Sequence, residues 1–145
     1  MQYSLADYIL SIKPNDATLA QIFQKVEIGG EGSMTGSINV SLNSNLWSTE
    51  GFATGAWVHS KNLDRTGTIA ISVSQLSDNV AKFKQLVNVY YTGNYGGLTM
   101  SLIDSDGNEV CNAIDCRPVQ IPAQDFSTTA QMQSWSFTCG KITIN

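Results

Sequence analysis

The sequence predicts a mainly β fold: an antiparallel β-barrel or curled β-sandwich with one flanking α-helix over about residues 78–91. Two observations predict it. Apolar residues alternate with polar ones in four separate stretches, which is the period of a half-buried strand. Only one stretch instead repeats its apolar residues at helical spacing. A chain of 145 residues suits a single domain, 1–145, and such a domain buries roughly 68–70% of its unfolded surface, enough for a core without disulfides or metals.

Taken in order, "DYILSI" and "QIFQKVEI" are early strands, and "GGEGSMTG" is a hairpin loop or flexible turn. That loop is glycine-rich, but no Lys-Ser or Lys-Thr follows it and Glu31 would repel a phosphate. "GSINVSLN" alternates on Ile38, Val40 and Leu42, and "TGTIAISVS" on Ile69, Ile71 and Val73. Between them lies a long segment, about residues 43–61, built of Gly, Ser, Thr and Asn like a loop, yet carrying Trp47, Phe52 and Trp57. "SDNVAKFKQLVNVYY" places Val80, Phe83 and Val87 on one helical face, with Ser77 or Asp78 as cap. Gly93, Gly96 and Gly97 end that helix.

"GLTMSLI" alternates on Leu98, Met100 and Leu102, and "EVCNAIDCRPVQI" is a further strand. The "DSDGN" between them is a hairpin turn with Asp106-Gly107 at its tip. It is not a calcium loop, because Gly107 as sixth position puts Leu102 and Ala113 where carboxylates are required. "SWSFTC" alternates on Trp135, Phe137 and Cys139, after which the apolar residues, Ile142 and Ile144, change parity. One extra residue at Gly140, a β-bulge, would restore the face.

The totals exclude several function classes. Net charge is −4, and the eight basic residues are scattered, which argues against tight nucleic-acid binding. No stretch is apolar and long enough to span a bilayer, and Met1 to Leu10 lacks the basic start and apolar centre of a signal peptide. Cys111, Cys116 and Cys139 are expected as free, buried thiols, since their spacing fits neither a zinc site nor a disulfide framework. No cofactor or metal is expected. The one histidine, His59, has no catalytic signature around it, and six of the twelve acidic residues sit in turns (Asp16, Glu31, Glu50, Asp64, Asp104, Asp106), so an enzyme is not indicated.

Two features point instead to assembly. Charged residues make up only 14% of the chain, against about 25% in a usual soluble domain. The polar faces of the predicted strands are also uncharged: Ser37, Asn39 and Ser41; Thr68 and Ser72; Thr99 and Ser101; Ser134, Ser136 and Thr138. A face open to water usually mixes in Lys, Glu and Arg. These ten residues form either a Ser/Thr-rich outer surface or a shared, enclosed one, such as a channel wall or subunit contact.

In order and content, the blocks "WVHSKNLDRTGTIAISVSQLSDNVAKFKQL", "DSDGNEVCNAIDCRPVQIP" and "WSFTCGKITIN" resemble a bacteriophage tail tube protein of the contractile-tailed type, related to type VI secretion tubes. The resemblance covers nearly the whole chain and rests on structural motifs. It implies rings, six copies each, stacked into a tube whose lumen carries DNA without binding it specifically. It also implies partners in the sheath, baseplate and tail terminator, and a place in the virion tail after assembly in the host cytoplasm. On that basis the 43–61 segment is an inter-subunit element anchored by Trp47, Phe52 and Trp57; the alternative is that it folds back over its own barrel with Trp57 opening a strand. A different class of function, a carbohydrate-binding module stacking sugars on Trp47, Trp57, Tyr91 and Tyr95, fits the same composition.

Overall fold

The computed structural model describes residues 2–145, and the fold is mainly β. After a 3-10 turn at Leu5–Asp7 come β1 (Ile9–Pro14), α1 (Ala17–Ile22), β2 (Val26–Gly29), β3 (Thr35–Leu42), β4 (Trp47–Gly51), β5 (Trp57–Lys61) and β6 (Gly67–Ser74). Then follow α2 (Asp78–Thr92), β7 (Leu98–Ile103), β8 (Glu109–Pro118), β9 (Met132–Cys139) and β10 (Lys141–Ile144). Eight strands form one antiparallel sheet: seven in the path β2-β1-β7-β8-β9-β6-β3, with β10 added beside β8. The end strands β2 and β3 do not pair, so the sheet is not a closed barrel; it folds over as a sandwich.

The fold line is β8. Its first part pairs with β7 and β10, while Arg117 and Pro118 pair with Thr138 and Phe137 of β9. The register with β7 slips between Leu98↔Cys116 and Met100↔Ala113. At that slip Asp115 takes φ +54, the one described non-glycine residue in that region. Gly97 lies against it so closely that a Cβ there would come within 2.9 Å of the Asp115 Cα.

This corrects two expectations. The bulge is in β8 at Asp115, not at Gly140. Gly140 has no positive φ, and the parity change after Cys139 marks a change of partner: β9 pairs with β6, and β10 turns back to pair with β8. Nor is there only one flanking helix. "QIFQKVEI" is not one strand: α1 occupies its start, capped by the Asp16 carboxylate on the Thr18 N–H, and β2 only its end.

The core is one cluster. Leu10, Ile12, Ile28, Leu98 and Met100 meet Ile69, Ile71, Val73, Trp135 and Phe137 across the sandwich, and Leu19, Phe23, Val80, Phe83, Leu86 and Val87 come from the helices. Phe83 packs on Trp135 and Phe137 at 5.3 and 5.8 Å. Helix α2 starts at the expected cap, with Ser77 Oγ accepting the Asn79 N–H. Ile38 and Val40 are half-buried against the core, but Leu42, expected inside, is exposed. All three cysteines are free and buried. The hydrogen bond between Cys116 and Cys139, together with burial, pushes the Cys116 thiol well above its usual range, so it stays protonated.

Two outcomes follow for stability. Gly67 sits where a Cβ would fall 2.1 Å from the Ser41 carbonyl oxygen, whereas at Gly140 it would meet Asp115 Cβ at 3.4 Å, an ordinary contact. Gly67→Ala should therefore cost about 1–3 kcal/mol as overpacking does, while Gly140→Ala melts like the parent; thermal unfolding of both variants checks the pair. For the thiols, melting with and without reductant should coincide, and a drop on reduction would show a disulfide that the fold depends on.

Candidate assembly surfaces

Residues 43–61 form a hairpin and not an irregular loop. β3 and β6 pair from Thr35↔Val73 to Leu42↔Gly67; beyond them β4 and β5 pair from Trp47↔Lys61 to Gly51↔Trp57. The two ladders are one ribbon interrupted by a joint. Four residues, 43–46, cross the joint on one side and five, 62–66, on the other, and such an inequality bends a ribbon. At five residues per arm and ~3.4 Å per residue, the hairpin projects roughly 17 Å before its turn. Every residue of both arms is exposed.

The joint is held by hydrogen bonds around Asp64. Its carboxylate accepts from the Thr66 N–H (2.9 Å), the Thr66 hydroxyl (2.8 Å) and the Ser44 hydroxyl (2.7 Å). Asn43 donates its N–H to the Thr66 carbonyl, and Asn62 N–H reaches the Leu46 carbonyl. These bonds, led by the Thr66 backbone N–H, hold the Asp64 carboxyl below its ordinary 3.8. Two of the polar residues that read as loop, Asn43 and Ser44, thus join Asp64 and Thr66 in a clamp that orders the hairpin's base.

Cross-strand partners share a face of the ribbon. One face carries Trp47, Thr49, His59, Lys61 and Trp57. There the Trp47 and His59 rings meet edge-on at 6.5 Å, Lys61 Nζ lies 5.7 Å from the Trp47 ring centre, and Thr49 Oγ1 bonds His59 Nδ1 at 2.8 Å. Phe52 begins the turn, its N–H bonded to the Ala56 carbonyl, and alternation puts it on the other face with Glu50 and Val58. The three expected anchors are therefore exposed, Trp47 at 53%, Phe52 at 48% and Trp57 at 66%, but on two faces. Trp57 does open a strand; the hairpin does not fold back over the sheet.

The uncharged strand faces separate into two groups. Across β3, β6 and β9 the register aligns Ser37–Ser72–Ser134, Asn39–Ala70–Ser136 and Ser41–Thr68–Thr138 in three rows. Eight of the ten predicted residues thus share one surface, with Arg117 beside Thr138 at its border. Thr99 and Ser101 do not belong to it: they lie on β7, paired with Lys13 and Ser11 of β1. Of the aromatics considered for sugar stacking, Tyr95 packs on Tyr90 at 6.3 Å instead of joining the hairpin.

Sequence reasoning missed a cleft of about 380 Å³ at the hairpin base, lined by Leu42, Leu46, Leu63, Lys61, Asp64 and Arg65 among others. The one available signal was Leu63, an aliphatic residue alone in the polar run "KNLDRTG". Phe126, the most exposed large apolar side chain among the described residues at 84%, was missed too. Among the described residues no helix is long and apolar enough to cross a membrane, and no cluster of His, Cys, Asp and Glu could hold a metal.

A family model for the bacteriophage PhiTE tail tube protein matches residues 9–145. No curated protein matches the sequence. Solved structures share the fold. One is the sheath–tube complex of an extracellular contractile injection system, PVC, in the extended state, with 12% identity, TM-score 0.56 and coverage of 100% of this chain and 92% of that one. The sheath/tube terminator of the same PVC system, in the extended state, aligns at 12% identity and TM-score 0.57, covering 100% and 97%. The 6-fold symmetrised baseplate of the anti-feeding prophage aligns at 10% identity and TM-score 0.57, covering 100% and 96%.

The clamp carries a pH dependence. Asp64 has a folded pKa below 3.8, so its contribution is fully present above that value and fades as pH falls through the folded pKa. Asp64→Ala should therefore speed hydrogen exchange of the β4 and β5 amides at neutral pH. After correction for intrinsic exchange, parent and variant should converge only once the pH falls below the lowered folded pKa of Asp64.

Proposed function

The chain belongs to the bacteriophage PhiTE tail tube protein family, and from that premise we propose that it assembles into rings of six that stack as the tube of a phage tail. The chain's part is structural, not enzymatic. The whole of 1–145 works as one tube domain; the sheath, baseplate and tail terminator are its partners; and the genome passes through the lumen during ejection. The tail is contractile, and assembly takes place in the host cytoplasm before the protein becomes part of the virion.

The observation that carries this is the hairpin. A clamped ribbon with aromatic side chains on both faces and no packing onto its own sheet is marginal alone in water and gains most by packing against something larger. Apolar side chains in water gain ~1.5–3 kcal/mol each on burial. Trp47 and Trp57 on one face and Phe52 on the other suit insertion between two neighbours.

The serine-, threonine- and asparagine-lined surface of β3, β6 and β9 fits the lumen wall. A basic wall would hold DNA by releasing counterions. A neutral wall of short side chains, with Arg117 only at its border and near Asp115, gives the phosphates few cations to pair with, so the DNA slides. Ser37, Asn39, Ser41, Thr68, Ser72, Ser134, Ser136 and Thr138 are the residues proposed for it; Thr99 and Ser101 face away on the second layer.

Trp47→Ala with Phe52→Ala should leave the sandwich folded by circular dichroism and abolish rings and tubes by sedimentation and electron microscopy. Each truncation at the centre of a contact costs about 2 kcal/mol or more. A double variant that unfolds as a monomer would assign the aromatics to the subunit's own stability. One that assembles like the parent would remove the hairpin as the joint.

A further inference from the structure

The two ends of the β3–β6–β9 layer carry different apolar features. Gly67 starts β6 at the end where the hairpin leaves, and there Leu42, Leu46 and Leu63 line the 380 Å³ cleft with Lys61 and Arg65 at its rim. Ser74 ends β6 at the other end, paired with Met132 at the start of β9. Phe126 is fixed at that second end. On one side of it Gln124 Oε1 accepts from Gln133 Nε2 (3.1 Å); on the other, Ser127 Oγ accepts from Gln131 Nε2 (3.1 Å). Gln131 is itself bound both ways to Gln75, just past β6. The segment is therefore tied to the sheet on both sides of a side chain left in water.

Charge matches as well. Asp125 is the one charged residue between Val119 and Gln131. The cleft has two cations, Lys61 and Arg65, against Asp64, whose oxygens are already taken by Ser44 and Thr66. Arg65 bonds the Ile142 carbonyl through Nε, which leaves its two terminal nitrogens for a carboxylate. Within one copy the knob cannot reach the cleft, because β6 separates them by seven residue steps, roughly 24 Å.

We infer that Phe126 of one copy seats in the Leu42–Leu46–Leu63 cleft of the next, with Asp125 paired to Arg65, as the axial contact between stacked copies. Knob and socket lie at opposite ends of the same strands, so the contact is head-to-tail, and a head-to-tail contact that repeats along its axis makes an open filament. The hairpin leaves at the socket end and so flanks the incoming copy. This inference rests on the tube reading above and adds the residues that join one ring to the next.

The test uses the full chain. Phe126→Ala should keep the parent's melting temperature and raise the concentration needed for tubes tenfold or more. Asp125→Arg should do the same, and adding Arg65→Asp should restore assembly. Phe126→Cys with Leu63→Cys should give, on mild oxidation, a non-reducing gel ladder that runs past the dimer and collapses with reductant; neither single variant should. A ladder that stops at the dimer would overturn the head-to-tail contact. Parent-like tubes from Phe126→Ala with no ladder would overturn the seat and leave the tube reading standing. A parent that stays monomeric at every concentration would overturn both.

Discussion

Everything in this fold depends on one strand serving two layers. β8 pairs with β7 and β10 along its first part and with β9 at its end, and a bend between the two parts lets each lie in its own layer. The extra residue at Asp115 supplies the bend. It is possible only because Gly97 has no side chain to collide with it. Once β8 bends, Cys116, Cys139 and Ile142 turn inward together and the apolar faces of both layers meet. Helix α2 then covers Trp135 and Phe137 with Phe83.

The same bend leaves surfaces unfinished. The strand path ends at two edges, β2 and β3, and an open edge invites pairing with another chain. β3 also feeds the hairpin, so the edge strand and the projecting ribbon are parts of one element. Six of the exposed apolar residues, Leu46, Trp47, Phe52, Trp57, Leu63 and Phe126, lie on the ribbon, at its base or at the far end of the layer, while others, such as Tyr3, Tyr91 and Ile144, lie elsewhere. Scattered exposed apolar residues need no explanation in a monomer; residues placed at both ends of one set of strands do.

What the sequence made legible was what local periodicity controls. Alternation on Ile69, Ile71 and Val73, on Leu98 and Met100, and on Trp135 and Phe137 found buried faces, and the Ser77 cap with Val80, Phe83 and Val87 found α2. Where a feature depends on which strand pairs with which, periodicity is silent. The parity change beyond Cys139 could mean an added residue or a new partner, and only the topology shows the partner. The grouping of Ser37, Ser72 and Ser134 against the separation of Thr99 and Ser101 is likewise a matter of strand order. α1 was missed because six residues hold too few turns to show a period, and its cap, Asp16, is also tied to the Gly96 N–H from far along the chain.

The composition of 43–61 misled for a physical reason. Ser, Thr, Asn and Asp disfavour regular structure because their side chains compete for the backbone. In this ribbon that competition is strongest at the joint, where the Asp64 carboxylate accepts one backbone N–H and two hydroxyls, those of Thr66 and Ser44, at once. Beyond the joint the strand formers Trp47, Thr49, Trp57 and Val58 pair in register. A two-stranded ribbon alone in water is marginal, so the clamp supplies order at the base while the outer arms depend on what they touch. In the proposed tube, the core is complete before contact, and the ribbon's own stability is completed by the neighbouring copy.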